Sequence, residues 1–144
     1  MQVKIAESLE DLTKISPVLL QLRSQYTQDA LITQIQKQQQ SGYCIAYVEK
    51  DGKVLCVAGF VMTEKLAWQK NIYIDDLVSE ESQRSTGAGK FLMDWFKNFA
   101  RENSCQQLHL DSGVQRFSAH KFYLREGFSI NSHHFAIDDL NAHK

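Results

Sequence analysis

The stretch that decides the fold reads IYIDDLVSEESQRSTGAGKFLMDWFKNF and covers residues 72–99. Its first part, residues 72–78, is rich in β-branched, aromatic and aliphatic side chains, which is typical of a strand. A polar loop follows, and apolar side chains then recur along one face of a helix that we predict from about residue 87 to residue 102. The stretch therefore predicts a strand, a loop that contains glycine, and a strongly amphipathic helix.

Two glycines mark the point where this helix begins, in the run Arg84-Ser85-Thr86-Gly87-Ala88-Gly89-Lys90. A helix N-terminus has unpaired N–H groups and a partial positive charge, so it binds anions well. Glycine lets the backbone approach such an anion, while Arg84 and Lys90 add charge and the two hydroxyl groups add donors. The loop predicts a phosphate or diphosphate site. By itself it fits equally well a plain helix start whose glycines serve packing.

Two common nucleotide patterns fail at particular positions of this loop. A Walker loop requires glycine at position 84 and serine or threonine after the lysine, where this chain has Arg84 and Phe91. A dinucleotide-binding loop requires a third glycine at position 92, which is Leu92. A nucleotide-binding domain is therefore disfavoured.

The rest of the chain predicts a mixed α/β (α+β) fold. Before the deciding stretch we expect a strand at 3–6, a helix that Ser8 caps and Pro17 kinks or splits, a helix at 29–39, strands at 43–49 and 54–62, and a polar loop at 64–70. The two strands are joined by Lys50-Asp51-Gly52-Lys53, and Asp-Gly is a strong hairpin signal. After it we expect a strand at 108–110, a helix at 118–125 and a last strand at 128–137 that completes the sheet.

A second motif, AHKFYLREGF at residues 119–128, places a tyrosine on a short helix that ends at a glycine. Together the two motifs resemble the GNAT superfamily of N-acetyltransferases. Its phosphate-binding pattern Gln/Arg-x-x-Gly-x-Gly/Ala is met by Arg84, Gly87 and Gly89. Its later pattern Ala-x-x-Phe-Tyr-x-x-x-Gly-Phe is met by Ala119, Phe122, Tyr123, Gly127 and Phe128.

The resemblance implies an acetyl-CoA-dependent enzyme with a splayed, mostly antiparallel sheet flanked by helices. The pantetheine arm would lie in the gap between the strands at 72–78 and 108–110, and the loop nitrogens would hold the pyrophosphate. The implied coenzyme-binding residues are Leu77, Val78, Ser79, Arg84, Ser85, Thr86, Gly87, Ala88, Gly89 and Lys90. One departure is Arg116, which stands where many members carry an asparagine, so a pantetheine contact by that asparagine does not carry over.

The resemblance also implies roles in the chemistry. Tyr123 would protonate the leaving thiolate, since a phenol with a pKa near 10 keeps its proton at neutral pH. Asp76 is the preferred general base, and strand alternation predicts that Asp75 points to the opposite face. The alternative for the acidic pair is simple attraction of a cationic substrate. Further candidates for substrate contact are Asp75, Asp111 and His134, and Trp68 with Tyr73 could wall the acceptor site.

Composition limits the partners. The formal net charge is −1, so no basic field favours nucleic acid, and no apolar run reaches the length of a membrane span. The single proline and seven glycines leave little room for a linker, so we expect one domain over residues 1–144. The N-terminal residues are too polar for a signal peptide, and the three cysteines form neither CxxC spacing nor a disulfide framework, which fits the cytoplasm.

No metal is expected either, because the adjacent His133 and His134 would point to opposite faces of a strand. The leading hypothesis is transfer of an acetyl group to a primary amine of a small molecule. The alternatives are a non-catalytic module that binds acyl-CoA, and an acetyltransferase that acts on protein lysines or N-termini. A homodimer formed through the C-terminal strands would be usual for such enzymes.

Overall fold

The computed structural model describes residues 1–84 and 86–142. The strands are β1 (Gln2–Ile5), β2 (Tyr43–Lys50), β3 (Lys53–Lys65), β4 (Gln69–Ser79) and β5 (Gln107–Leu110). The α-helices are α1 (Leu9–Leu22), α2 (Gln28–Gln39), α3 (Ala88–Glu102) and α4 (Phe117–Arg125), and a short 3-10 helix covers Glu81–Gln83.

The five strands form one sheet in the order β1-β2-β3-β4-β5. The first four strands pair antiparallel, and β5 runs parallel to β4. The β4–β5 pairing ends where Ile74 meets Leu110, whereas β4 continues to Ser79. The expected mixed fold, with a mostly antiparallel sheet flanked by helices, is confirmed.

Helices cover the sheet with apolar side chains. On one face α1 and α2 bury a cluster with side chains of β2, β3 and β4, among them Ile45, Tyr47, Val57 and Val78. Phe60 lies on β3 and makes edge-to-face contacts with aromatic rings of α3, with ring centroids 5.0 Å from Phe96. Burial of these side chains, at about 25 cal/mol per Å² of apolar surface, fixes α3 against β3 and β4.

Local signals for turns and caps are confirmed. Asp51 and Gly52 both have positive φ, 52° and 76°, as the Asp-Gly hairpin predicts. Ser8 caps α1 in a complete capping box, in which the Asp11 side chain accepts from the Ser8 amide.

The helix does not split at Pro17, one of the two outcomes expected there, because α1 continues through it to Leu22. Proline removes the amide that would bond the Thr13 carbonyl, and the Ser16 hydroxyl donates to that carbonyl instead, at 2.9 Å. The expected loop at 64–70 is also too long. β3 runs to Lys65 and β4 starts at Gln69, whose φ of 56° completes a tight turn.

The last expected strand is not formed, since residues 128–137 have no helix or strand conformation. A strand needs a neighbouring backbone to pair with. The chain divides into two compact units, Met1–Leu110 and a second that begins at Asp111. Among the described residues of that second unit, α4 is the only regular element, so it supplies no strand edge.

Within the described part of the chain, no helix is long and apolar enough to cross a membrane.

Candidate functional site

The C-terminal half of β4 presents one edge beyond the end of β5. Leu77, Val78 and Ser79 pair with β3 through Ala58, Val57 and Cys56. On the other edge the pairing with β5 stops at Ile74, so no described strand pairs with residues 75–79 there. Such an edge presents backbone N–H and C=O groups to a ligand that carries amides.

The loop that follows β4 is tied to α1 at its start. Gln21 donates from its side-chain amide to the Glu80 carboxylate at 3.0 Å and accepts from the Glu81 amide at 3.1 Å. Farther along, both the amide and the hydroxyl of Thr86 donate to the Gln83 carbonyl, at 3.2 and 2.8 Å. Thr86 therefore uses these two donors inside the loop. Ser85 lies outside the described residues.

Helix α3 begins without a side-chain cap. Its N-cap, Gly87, has φ of 82°, a left-handed conformation that favours glycine, and its carbonyl accepts from the Phe91 amide at 3.0 Å. The amides of Ala88 and Gly89 open the helix and have no carbonyl four residues back within it. No acidic residue occupies the first turn. This helix start is suited to an anion.

Two cations flank the helix start. Arg84 is exposed, and the Lys90 ammonium lies 3.4 Å from the Asp94 carboxylate one turn further along α3. Both ends of this ion pair are more than half exposed, so the pair adds little stability. Arg84 and Lys90 thus lie on either side of the start of α3, where the sequence predicted a cationic loop.

The two aspartates of β4 lie at a β-bulge. Ile74 pairs with Phe60 and Asp76 pairs with Gly59, so Asp75 is the extra residue on β4. The expectation that strand alternation separates the aspartates onto opposite faces is therefore wrong, because the bulge interrupts the alternation. Both aspartates line one cleft of about 260 Å³ between the α1–α2 region and the sheet.

Asp76 already has partners within the protein. Arg23 Nε donates to Asp76 Oδ1 at 2.8 Å, and the Tyr43 hydroxyl donates to Oδ2 at 2.6 Å. Burial and the neighbouring Asp76 raise the pKa of Tyr43, which therefore stays protonated and keeps donating. Sequence reasoning missed Arg23 and Tyr43, since each is more than 30 positions from Asp76 and no local motif marks them.

The cleft is polar and continues toward α2. A neighbouring depression of about 240 Å³ shares Gln34, Gln38, Tyr43 and Asp75 with it. The Gln34 and Gln38 side chains are bonded to one another at 2.9 Å along one turn of α2. Carboxylates and amides therefore face the same space, which suits a ligand with ammonium and hydroxyl groups.

An aromatic stack lies at the other end of β4. Trp68 is parallel to His109, with ring centroids 3.5 Å apart, and stacks on Tyr73 at 6.0 Å. The Lys65 ammonium lies 4.1 Å from the Trp68 ring centroid, a cation–π contact. Trp68 and Tyr73 come together as expected, but neither lines the two clefts.

The second unit holds three of the residues selected from sequence. Tyr123 lies half-buried on α4 and makes edge-to-face contacts with Phe122 and Phe128, at 5.5 and 5.9 Å between centroids. Helix α4 ends at Arg125 with Glu126 as its C-cap, and Gly127, expected as the C-cap, follows one position later with φ of 99°. Asp111 and His134 are brought together as an exposed pair, 3.2 Å apart.

Among residues 1–84 and 86–142, no group of three His, Cys, Asp or Glu side chains could hold a metal ion. Arg116, the position that departs from the motif, is the N-cap of α4 and makes no side-chain capping bond.

Known proteins are similar to this chain in sequence and in fold. The profile of the acetyltransferase (GNAT) family matches residues 7–128. The uncharacterized N-acetyltransferase YhdJ of Bacillus subtilis (strain 168) is 26% identical over 137 residues, which are 94% of this chain and 96% of that protein.

Solved structures share the fold. The ribosomal-protein-alanine N-acetyltransferase from Brucella melitensis biovar Abortus 2308 has a TM-score of 0.82 at 16% identity, over 96% of this chain and all of that one. The aminoglycoside N-acetyltransferase AAC(6')-Iy in complex with CoA has a TM-score of 0.80 at 14% identity, over 96% of this chain and 95% of that one. Because the family profile covers most of the sequence, this chain belongs to the acetyltransferase (GNAT) family.

Proposed function

We propose that this protein transfers the acetyl group of acetyl-CoA to a primary amine of a small molecule. The observation that carries the proposal is the continuation of β4 past the end of β5 into a loop that opens α3 at Gly87. Along the chain, a strand edge that can pair with amides is followed by an anion site. Along CoA, the pantetheine arm is likewise followed by the pyrophosphate.

In this proposal the coenzyme is held by backbone more than by side chains. The edge at Leu77, Val78 and Ser79 pairs with pantetheine, and residues 84–90 hold the pyrophosphate. Amides at the start of α3 donate to the pyrophosphate, and bonds to a charged acceptor stabilise by roughly 1.5–3 kcal/mol each. Thr86 contributes least, because its amide and hydroxyl donate to Gln83.

The chemistry is direct attack. The neutral amine forms a bond to the thioester carbonyl carbon, the carbon–sulfur bond breaks, and the thiolate takes a proton from Tyr123. Asp76 or a water bound to it takes the proton that the amine loses. A carboxylate has about four lone-pair sites, so the bonds from Arg23 and Tyr43 leave capacity for about two more donors.

The polar cleft supports a small cationic acceptor. It is lined by Asp75, Asp76 and amide side chains together with Arg23, and about 260 Å³ suits a ligand smaller than a typical drug. Asp111 and His134 are further proposed contacts for the acceptor. A protein acceptor is the second candidate, since the ribosomal-protein-alanine N-acetyltransferase from Brucella shares this fold.

A thiol-release assay tests the proposal. Purified protein with acetyl-CoA is offered spermidine, an aminoglycoside, free amino acids and short peptides with free N-termini. Release of CoA thiol that depends on a small amine is the expected result. Release with peptides alone would favour the protein acetyltransferase. Coenzyme binding without any turnover would favour the acyl-CoA-binding module, and absence of binding would refute all three.

We also infer a cytoplasmic location and a homodimer. The three cysteines form no disulfide among the described residues, which fits a reducing compartment. Analytical ultracentrifugation of the purified protein would test the dimer, since a monomer at micromolar concentration would refute it.

A further inference from the structure

Asp76 is held from two sides by residues distant in sequence. Only 15% of its side chain is exposed, and each carboxylate oxygen accepts one bond, from Arg23 at 2.8 Å and from Tyr43 at 2.6 Å. Bonds to a charged acceptor are roughly twice as strong as neutral ones. The carboxylate orientation is therefore set by α1 and β2, not by β4 alone.

Arg23 holds both residues of the bulge. While its Nε donates to the Asp76 carboxylate, its Nη2 donates to the Asp75 carbonyl at 3.2 Å. Arg23 is the C-cap of α1, and its own amide donates to the Leu19 carbonyl at 3.0 Å. The planar guanidinium thus connects the end of α1 to two successive residues of β4, a geometry that lysine does not reproduce.

Tyr43 reaches Asp76 because position 59 has no side chain. Gly59 pairs with Asp76 across the β3–β4 ladder, and a Cβ there would overlap the Tyr43 hydroxyl and ring. Tyr43 itself is 5% exposed and packs in the core cluster. Gly59 does not have a positive φ, so its backbone conformation does not require glycine. What Gly59 contributes is the space that a side chain would fill.

We propose that Arg23, Tyr43 and Gly59 are positioning residues that lock the β4 bulge. The lock fixes the positions of the two aspartates that line the proposed acceptor cleft. It also aligns the β4 edge that begins directly afterwards, at Leu77. This inference rests on the proposed acetyl transfer, for which it names residues outside both motifs. If the network served only folding, its loss would lower the stability of the protein. Turnover and the amide hydrogen exchange of residues 75–79 would then stay unchanged.

The test compares matched variants. Tyr43→Phe and Arg23→Lys each remove one element of the lock. Tyr47→Phe removes a phenol hydroxyl from the same strand, and Arg101→Lys alters an exposed arginine of α3 that bonds Asn98. Each variant is first shown to be folded by circular dichroism. Acceptor kinetics with the best amine of the panel, and amide hydrogen exchange of residues 75–79, are then measured.

The lock predicts that Tyr43→Phe and Arg23→Lys lower kcat/KM for the acceptor by about 10- to 100-fold, which is the effect of one charge-assisted bond. KM for acetyl-CoA should change less, and exchange of residues 75–79 should rise by about tenfold. Tyr47→Phe and Arg101→Lys should match the wild-type protein in both. Gly59→Ala, which displaces the Tyr43 ring, should resemble Tyr43→Phe or exceed it.

Wild-type exchange at residues 75–79 in folded Tyr43→Phe and Arg23→Lys would overturn the proposal. So would faster exchange with unchanged kcat/KM, or equal losses in the control variants. If no amine in the panel reacts, the proposed function fails by itself. The exchange comparison then decides alone whether the bulge is locked, since it requires no turnover.

Discussion

Two glycines of this protein act through the side chain they lack, each in a different way. Gly87 supplies a left-handed backbone conformation at the start of α3, with φ of 82°. Gly59 has an ordinary backbone and supplies space for the Tyr43 hydroxyl beside Asp76. The first role is visible as a local pattern in the sequence, whereas the second depends on a residue 16 positions away in the neighbouring strand.

We expect Tyr123→Phe to lower kcat by roughly 10²–10⁴-fold, because general-acid catalysis contributes about that much. Affinity for acetyl-CoA should stay near the wild-type value, since the ring and its contacts with Phe122 and Phe128 remain. Steady-state kinetics and calorimetric titration measure the two quantities. Tyr47→Phe serves as the control, and wild-type turnover in Tyr123→Phe would remove the assigned role.

Gly87→Ala should weaken acetyl-CoA binding. A left-handed residue with a Cβ costs roughly 1–2 kcal/mol, and here the strain falls on the helix start proposed to hold the pyrophosphate. Gly52→Ala is a matched control, since Gly52 also has positive φ, 76°, and open space around it, but lies in the β2–β3 hairpin. Both variants should lose similar stability in urea. Equal coenzyme affinities in the two variants would contradict the assignment of the loop.

Among the elements, α1 has a larger part than its sequence suggests. Its N-terminus is closed by a capping box, its middle accommodates Pro17, and its C-terminus ends in Arg23 on the β4 bulge. Gln21, in its last turn, also fixes the start of the loop after β4. Through these contacts one helix orients both the proposed acceptor cleft and the proposed coenzyme loop.

Ser8→Ala should destabilise the protein by about 1 kcal/mol, because it removes the side-chain acceptor for the Asp11 amide. Urea unfolding at neutral pH measures the loss. Ser129→Ala, at an exposed position without secondary structure, is the control and should unfold at the wild-type midpoint. Equal midpoints for Ser8→Ala and Ser129→Ala would show that the capping box contributes nothing.

For the molecule as a whole, one ionic cluster joins β1, β2 and α1. Glu49 of β2 is buried and bonds the ammonium groups of Lys14 on α1 and Lys4 on β1. The bond from Lys14, then that from Lys4, holds the pKa of Glu49 below its ordinary value of 4.5. Because the folded-state pKa is lowered, the ionised form stabilises the fold above pH 4.5, and this contribution is lost as pH falls through the folded-state pKa.

Glu49→Gln should therefore be less stable than wild type at neutral pH and lose less of its stability on acidification. Urea midpoints at about pH 7 and about pH 3 measure the difference, since paired carboxylates dominate acid unfolding. Glu64→Gln, which removes an exposed carboxylate from β3, is the control. The same acid dependence in Glu49→Gln as in wild type would contradict this account.

Sequence patterns predicted most elements because their signals are local. The Asp51–Gly52 turn, the Ser8 cap and the apolar face of α3 each lie within a few residues, and each was confirmed. The wrong predictions depended on particular hydrogen-bond partners, which backbone preferences alone do not specify. The Thr13 carbonyl found the Ser16 hydroxyl, so Pro17 did not end the helix, and residues 128–137 had no strand edge in their unit.

The sequence alone determined the order of the elements up to α4, the helix start at Gly87, and the two motifs that resemble the family, because backbone preferences and motif spacings are written in consecutive residues. Only the tertiary structure decided the surroundings of the aspartates. An inserted residue at Asp75 broke the strand alternation, and Arg23 and Tyr43 came to Asp76 from positions 53 and 33 residues away. Which charged groups pair depends on their distance in space. The spacing of residues along one strand does not give that distance.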